Sequence, residues 1–135
     1  MSFEEISHTA DVKIRVHTLT LNALFSETCD ALMQVMYGKS REGSIRKVVD
    51  LDAENLEDLL LDFLSEVLFV SEVEGFVFSN VKVKINGLHL HAVLLGEKFS
   101  QKKHSGGTEV KGISYSGLSI SHNANGYIVD ILFDV

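Results

Sequence analysis

Three sets of side chains in this sequence stand where chemistry could be done, and each has a plainer reading beside it. Asp11 opens a stretch in which Val12, Ile14 and Val16 alternate with Lys13, Arg15 and His17, and the chain ends Phe133-Asp134-Val135. If the final strand pairs near the Asp11 end, three carboxylates meet: Asp11, Asp134 and the terminal carboxylate of Val135. Hard cations such as Ca²⁺ or Mg²⁺ take oxygen ligands of this kind, and a cation relieves the repulsion among such groups. The plainer reading is acids solvated at the chain ends. His89 and His91 project from the same face of one strand, the spacing of a metal pair. Lys82 and Lys84 share that face across a hairpin, and ammonium groups there repel a divalent ion, which favours ordinary solvent-facing histidines. Lys111 shares a strand face with Ile113 and Tyr115. It either snorkels at the edge of an apolar face or is directed toward a phosphate or an acidic partner.

Standard catalytic constellations are missing. The sequence holds no P-loop, no G-x-G-x-x-G, no H-E-x-x-H and no cysteine-based zinc spacing. Ser116-Gly117-Leu118-Ser119 is not a nucleophile elbow. Cys29 is the only cysteine, which excludes an intramolecular disulfide, and it falls within an amphipathic helical pattern. A packed helix cysteine is the reading there, without a neighbouring base to activate it.

The elements that must position these groups follow from periodicity. The alternation at residues 12–16 is that of a half-buried strand. Thr20 then serves as N-cap for a helix whose stripe is Leu21, Leu24, Phe25, Thr28, Leu32, Val35 and Met36, closed by Gly38. Ile45 to Leu51 reads as a strand. Leu56, Leu59, Leu60, Phe63, Leu64 and Val67 make one wide apolar face on a second helix, which starts near Asp52-Ala53-Glu54-Asn55 and stops at Gly75. Leu61 and Leu68 widen that stripe, predicting a helix covered on more than one side. Val77 to Ile85 and Leu88 to Leu95 flank Asn86-Gly87 as a hairpin with Ile85 opposite Leu88. Lys98 to Thr108 is a polar loop. Two last strands, near Val110 to Ile120 and Tyr127 to Phe133, are joined through Asn123-Ala124-Asn125-Gly126. The order β-β-α-β-α followed by four strands, mainly antiparallel, predicts a layered α+β fold with two helices.

Composition narrows the function classes. The 135 residues form a single domain, 1–135, with 45% apolar and 23% charged residues. The longest apolar runs are too short to span a bilayer, and Ser2-Phe3-Glu4-Glu5 is acidic where a signal peptide is basic, so the expected location is the cytoplasm. A formal charge of −7 disfavours a large phosphate-binding surface and suits a basic partner or a cation. No aromatic-plus-basic stripe is present to grip RNA directly.

Several segments, taken together, resemble the archease family. Ser7-His8-Thr9-Ala10-Asp11-Val12 is similar to its N-terminal signature, and Leu59 to Leu68 to its long second helix. Gly96-Glu97, His104 and the run Gly107 to Ser116 look like its loop and strand, and Phe133-Asp134-Val135 completes the match. The resemblance implies a three-layer β/α/β fold and a calcium-type site held by Asp11, Asp134 and Val135. It implies a partner as well: an RtcB-type RNA ligase that joins tRNA halves, whose guanylylation and multiple turnover this protein promotes as a non-catalytic activator. GTP and Mn²⁺ then belong to the ligase. Lys111 and Asp62 are the partner-activation candidates the resemblance favours. The chain departs from the family at Ser100, where many archeases carry aspartate, and at Ser116, where many carry histidine. Two other readings compete: a stand-alone metal-dependent phosphoesterase using the carboxylates, and a chaperone-like RNA-processing modulator.

Overall fold

The structure is a computed structural model that describes residues 2–6 and 11–135. The elements in chain order are β1 (Ser2–Ile6), β2 (Asp11–Thr18), α1 (Leu21–Tyr37), β3 (Ile45–Asp52), α2 (Leu56–Glu74), β4 (Phe76–Asn86), β5 (His89–Lys98), α3 (Gln101–His104), β6 (Gly112–Asn123) and β7 (Gly126–Asp134). They build a four-stranded sheet, β1-β2-β7-β6, and a three-stranded sheet, β3-β5-β4. Every pairing is antiparallel. Helix α1 packs on β2 and β7 on one side and on β4 on the other, while α2 packs on β6 and on β3 and β4. The helices therefore form a middle layer between two sheets, the β/α/β arrangement that the resemblance implied.

Local chemistry sets the helix ends. The Thr20 hydroxyl accepts from the Ala23 N–H at 3.1 Å, and the Asn55 side-chain oxygen accepts from the Asp58 N–H at 2.8 Å, each satisfying an orphan donor of a first turn. Glu57 and Asp58 add acidic charge at the positive end of α2. The wide stripe of α2 is explained by its central position, for Leu59, Leu60, Phe63, Leu64 and Val67 all lie within the core. Each fully buried side chain of this kind is worth about 1.5–3 kcal/mol. Cys29 belongs to the same core, and burial pushes its thiol up to about 12.

Three local expectations need correction. The β4–β5 hairpin pairs Asn86 with His89 and Ile85 with Leu90, so its two loop residues are Gly87 and Leu88. A type I′ turn on Asn86-Gly87 requires positive φ at both positions. Here φ is positive at Gly87 (64°), and no described residue other than glycine has it, which fits a type II′ turn with glycine first. The register shifts by two residues, so the faces survive. The 98–108 stretch, expected to be an irregular polar loop, contains the one-turn helix α3, which makes a third helix in the chain. Lys111 lies just outside β6, which begins at Gly112 and bulges between Ser114 and Ser119. Lys111 therefore precedes the alternation that would have put it on a face with Ile113, and the bulge separates Tyr115 from Ile113: Lys111 and Tyr115 are exposed, whereas Ile113 is half-buried.

Candidate functional site

Antiparallel pairing of β2 with β7 sets Asp11 directly opposite Asp134, and β6 places Gly112 on the other flank of Asp134. Residues 7–10, the rest of the Ser7-to-Val12 motif, lie outside the described residues. Ile14 and Val16 of β2 and Val129, Ile131 and Phe133 of β7 are buried. By strand alternation Asp11 and Asp134 project from the opposite, outer face of the sheet. Side chains directly opposed on an antiparallel pair have Cβ atoms roughly 4.5–5.5 Å apart, and like charges there disfavour the pairing. The Lys111 N–H donates to the Asp134 carbonyl at 2.7 Å, which ties the lysine to the same end of the sheet. Val135 follows directly and is half-buried, packed against the core. Asp11, Asp134, Val135 and Lys111 are thus one neighbourhood, made by three short segments that are apart in sequence. Two carboxylate side chains and Val135 are oxygen donors suited to a hard cation, though fewer than the 6–8 that Ca²⁺ takes. Among the described residues, no three His, Cys, Asp or Glu side chains stand already assembled around a metal-sized centre.

Two rows further along the same face an arginine stands opposite an aspartate. Arg15 donates to both carboxylate oxygens of Asp130, at 2.8 and 3.1 Å, and this fork holds the Asp130 carboxyl below its usual range.

Asp62 belongs elsewhere. It is exposed on α2, where Glu57, Asp58 and Asp62 lie beside the β6 bulge. The Tyr115 hydroxyl donates to Asp58 at 2.7 Å, and the Ile120 N–H donates to Glu57 at 3.0 Å. The hydrogen bond to Asp58, with the charges of Glu57 and Asp62 behind it, raises the Tyr115 phenol above its ordinary value. Ser116 lines a cleft of about 190 Å³ where β6 leaves β7, with Lys13, Gly117, Asp130, Ile131 and Leu132.

Sequence reasoning missed the organisation of the loop that leads to Lys111. His104 is buried in it, and its Nδ1 accepts from the Ser100 N–H at 2.9 Å. That leaves Nε2 to donate to Glu97 at 3.2 Å. Glu97 also accepts from the Glu42 N–H at 2.8 Å and from Lys103 at 3.0 Å, and these donors, the backbone N–H first, lower its carboxyl. The rings of Tyr37 and Phe99 flank His104. Ser100 makes no side-chain cap for α3, so its part in the loop is its backbone. Gly107 then presses against the Met36 carbonyl at the end of α1, a contact that leaves no room for a Cβ, and the Thr108 N–H donates to the Val35 carbonyl at 2.8 Å. The sequence signal was present in Gly96-Glu97, His104 and Gly107, but nothing in their spacing said that they meet.

With the fold and this end of the sheet described, comparison with known proteins places the molecule. The Archease protein family (MTH1598/TM1083) matches residues 3–135. The archease of Pyrococcus furiosus is 36% identical over 129 residues, covering 92% of this chain and 91% of that protein. The archease of Sulfurisphaera tokodaii is 33% identical over 136 residues, covering 98% of both. The solution structure of Methanobacterium thermoautotrophicum protein 1598 superposes with a TM-score of 0.87 at 28% identity, covering 98% of both chains. A Thermotoga maritima archease, described as a possible chaperone, shares the fold with a TM-score of 0.69 at 19% identity, covering 98% of this chain and 96% of that one. The chain belongs to the archease family. No helix among its described residues is long and apolar enough to cross a membrane.

Proposed function

We propose that this protein is an accessory factor, itself non-catalytic, that activates an RtcB-type RNA ligase, promoting guanylylation of the ligase with GTP and allowing it many turnovers. The observation that carries the reading is membership of the archease family over residues 3–135. The direct pairing of Asp11 with Asp134 supports a role for a cation in it. In this reading Asp11, Asp134 and Val135 hold Ca²⁺ or another divalent cation, and water, backbone carbonyls or the ligase complete the shell. GTP and Mn²⁺ act on the ligase, and tRNA halves are reached only through it. Lys111, tied to Asp134 by its backbone, presents an ammonium beside the cation, and Asp62 offers a separate acidic contact on α2. The cation and the fixed end of β7 favour the ligase conformation able to accept GTP. Such a shift requires contacts made with one ligase state and not the other.

The test is a multiple-turnover ligation assay with the cognate RtcB-type ligase, GTP, Mn²⁺ and cleaved RNA ends. Product well beyond one equivalent of ligase, formed only when this protein is present, is the expected result. Absence of any stimulation removes the function. Asp11→Ala that abolishes cation binding while activation persists removes the cation's role.

A further inference from the structure

Helix α2 lies between the two sheets, yet one flank of it is covered by neither. At 3.6 residues per turn, Asp62, Ser65, Glu66, Phe69, Glu72 and Val73 fall within one arc of about 120°. That arc is opposite the stripe in which Leu60, Phe63, Leu64 and Val67 are buried. Phe69 is 59% exposed and Val73 66%, and the two stand one turn apart. The flank is framed on both sides. Lys47 of β3 donates to Glu74 at 2.7 Å, which sets the last turn of α2 beside the start of β3. Ile45 begins that strand, exposed, on the same strand face as Lys47. On the other side, the Tyr115 hydroxyl and the Ile120 N–H of β6 donate to Asp58 and Glu57 in the first turn of the helix.

Charge selects what can cover this flank. Helix α2 carries six acidic residues and no lysine or arginine, and among the described residues only Glu74 of the six has a basic partner. Such a strip repels an RNA strand, whose backbone is itself anionic. A second copy meeting the flank about a twofold axis brings Glu66 of one protomer against Glu72 of the other. A protein surface with lysine or arginine around an apolar side chain fits both features, its cations along Asp62, Glu66 and Glu72 and its apolar anchor between Phe69 and Val73.

We propose that this flank of α2 is a docking surface for a basic protein partner and, resting on the function proposed above, that the partner is the ligase. A protein that binds RNA ends carries basic surface, the complement that an acidic strip requires. None of the docking residues belongs to the end of β7 where Asp11 meets Asp134, so docking and activation draw on different side chains.

Titration of the purified ligase with this protein, read both by calorimetry and by multiple-turnover ligation, tests the surface. Phe69→Ser is expected to raise the half-maximal concentration at least tenfold in both readouts, with full turnover regained at saturation. Val73→Ser gives a smaller shift in the same direction. Joint Glu66→Lys and Glu72→Lys substitution weakens binding at least tenfold and removes most of its salt dependence. Asp134→Ala instead lowers the turnover reached at saturation. Circular dichroism of each variant confirms that the fold is retained. Wild-type half-maximal concentrations in Phe69→Ser and in the double charge reversal overturn the docking surface and leave the proposed activation standing. Ligase binding that these variants weaken, without any stimulation of turnover by the wild type, upholds the docking surface and removes the activation. A wild-type dimer that Phe69→Ser dissociates assigns the flank to a second copy and overturns the proposal, as does a ligase that the wild type does not bind.

Discussion

The two sheets present carboxylates to solvent in opposite ways. At the end of the four-stranded sheet, register places Asp11 against Asp134. On the three-stranded sheet, register places Asp50 and Asp52 against His91 and His89, and each acid has a nitrogen within hydrogen-bond distance. The first arrangement opposes two carboxylates across a strand pair, where like charges disfavour the pairing; the second gives each carboxylate an imidazole of the neighbouring strand. The difference teaches that the partner strand, more than the residue itself, decides what a surface aspartate can do.

Substitutions should separate the two regions. The largest effect is expected from Asp134→Ala, which should reduce ligase activation to near background in the multiple-turnover assay. His91→Gln, which removes a contact to Asp50 on the other sheet, should leave activation unchanged. Next, Ca²⁺ at a hundredfold excess over its dissociation constant should stabilise the wild type by about 2.7 kcal/mol in thermal melts, and Asp11→Asn should cancel that gain. Gly107→Ala forces the chain away from the Met36 carbonyl, and a loss of about 1–3 kcal/mol is expected from such overpacking. Because Gly107 lies four residues before Lys111, activation should fall with it while the histidine face is untouched.

A smaller effect is expected from pH. The Glu97 carboxyl is lowered in the folded state by the Glu42 N–H, Lys103 and His104. Its contribution is therefore present above the ordinary glutamate value of about 4.3 and is lost as pH falls through the lowered one. Glu97→Gln should flatten the acid limb of the stability profile, read by hydrogen exchange at Thr108 and by melting temperature. The smallest effect belongs to Tyr115→Phe, which removes one exposed hydrogen bond to Asp58 and should leave the melting temperature close to that of the wild type.

Much of the fold was legible because its signals are local. Thr20 and Asn55 act as the N-caps, the two helical stripes are the buried stripes, and the even–odd faces of β2, β4 and β5 hold. The hairpin register was read two residues out because Asn-Gly favours one turn type and the structure uses another with glycine first. The Lys111 face was misread because the strand begins only at Gly112 and bulges after Ser114, and neither event carries a fixed sequence signature. The α3 loop was read as irregular because its order comes from His104, Glu97 and Glu42, which no short window contains together.

The sequence by itself determined the layered α+β class, the elements and the faces of most strands, since periodicity and capping act over a few residues. It also carried the family motifs, and with them the pairing of Asp11 and Asp134 as an expectation. Only the tertiary structure decided which strands lie side by side. That choice set Asp50 and Asp52 against the histidines and seated His104 on Glu97. Neighbour choice in a sheet depends on burying both helices between two sheets at once, a condition that involves the whole core and cannot be read from any one segment.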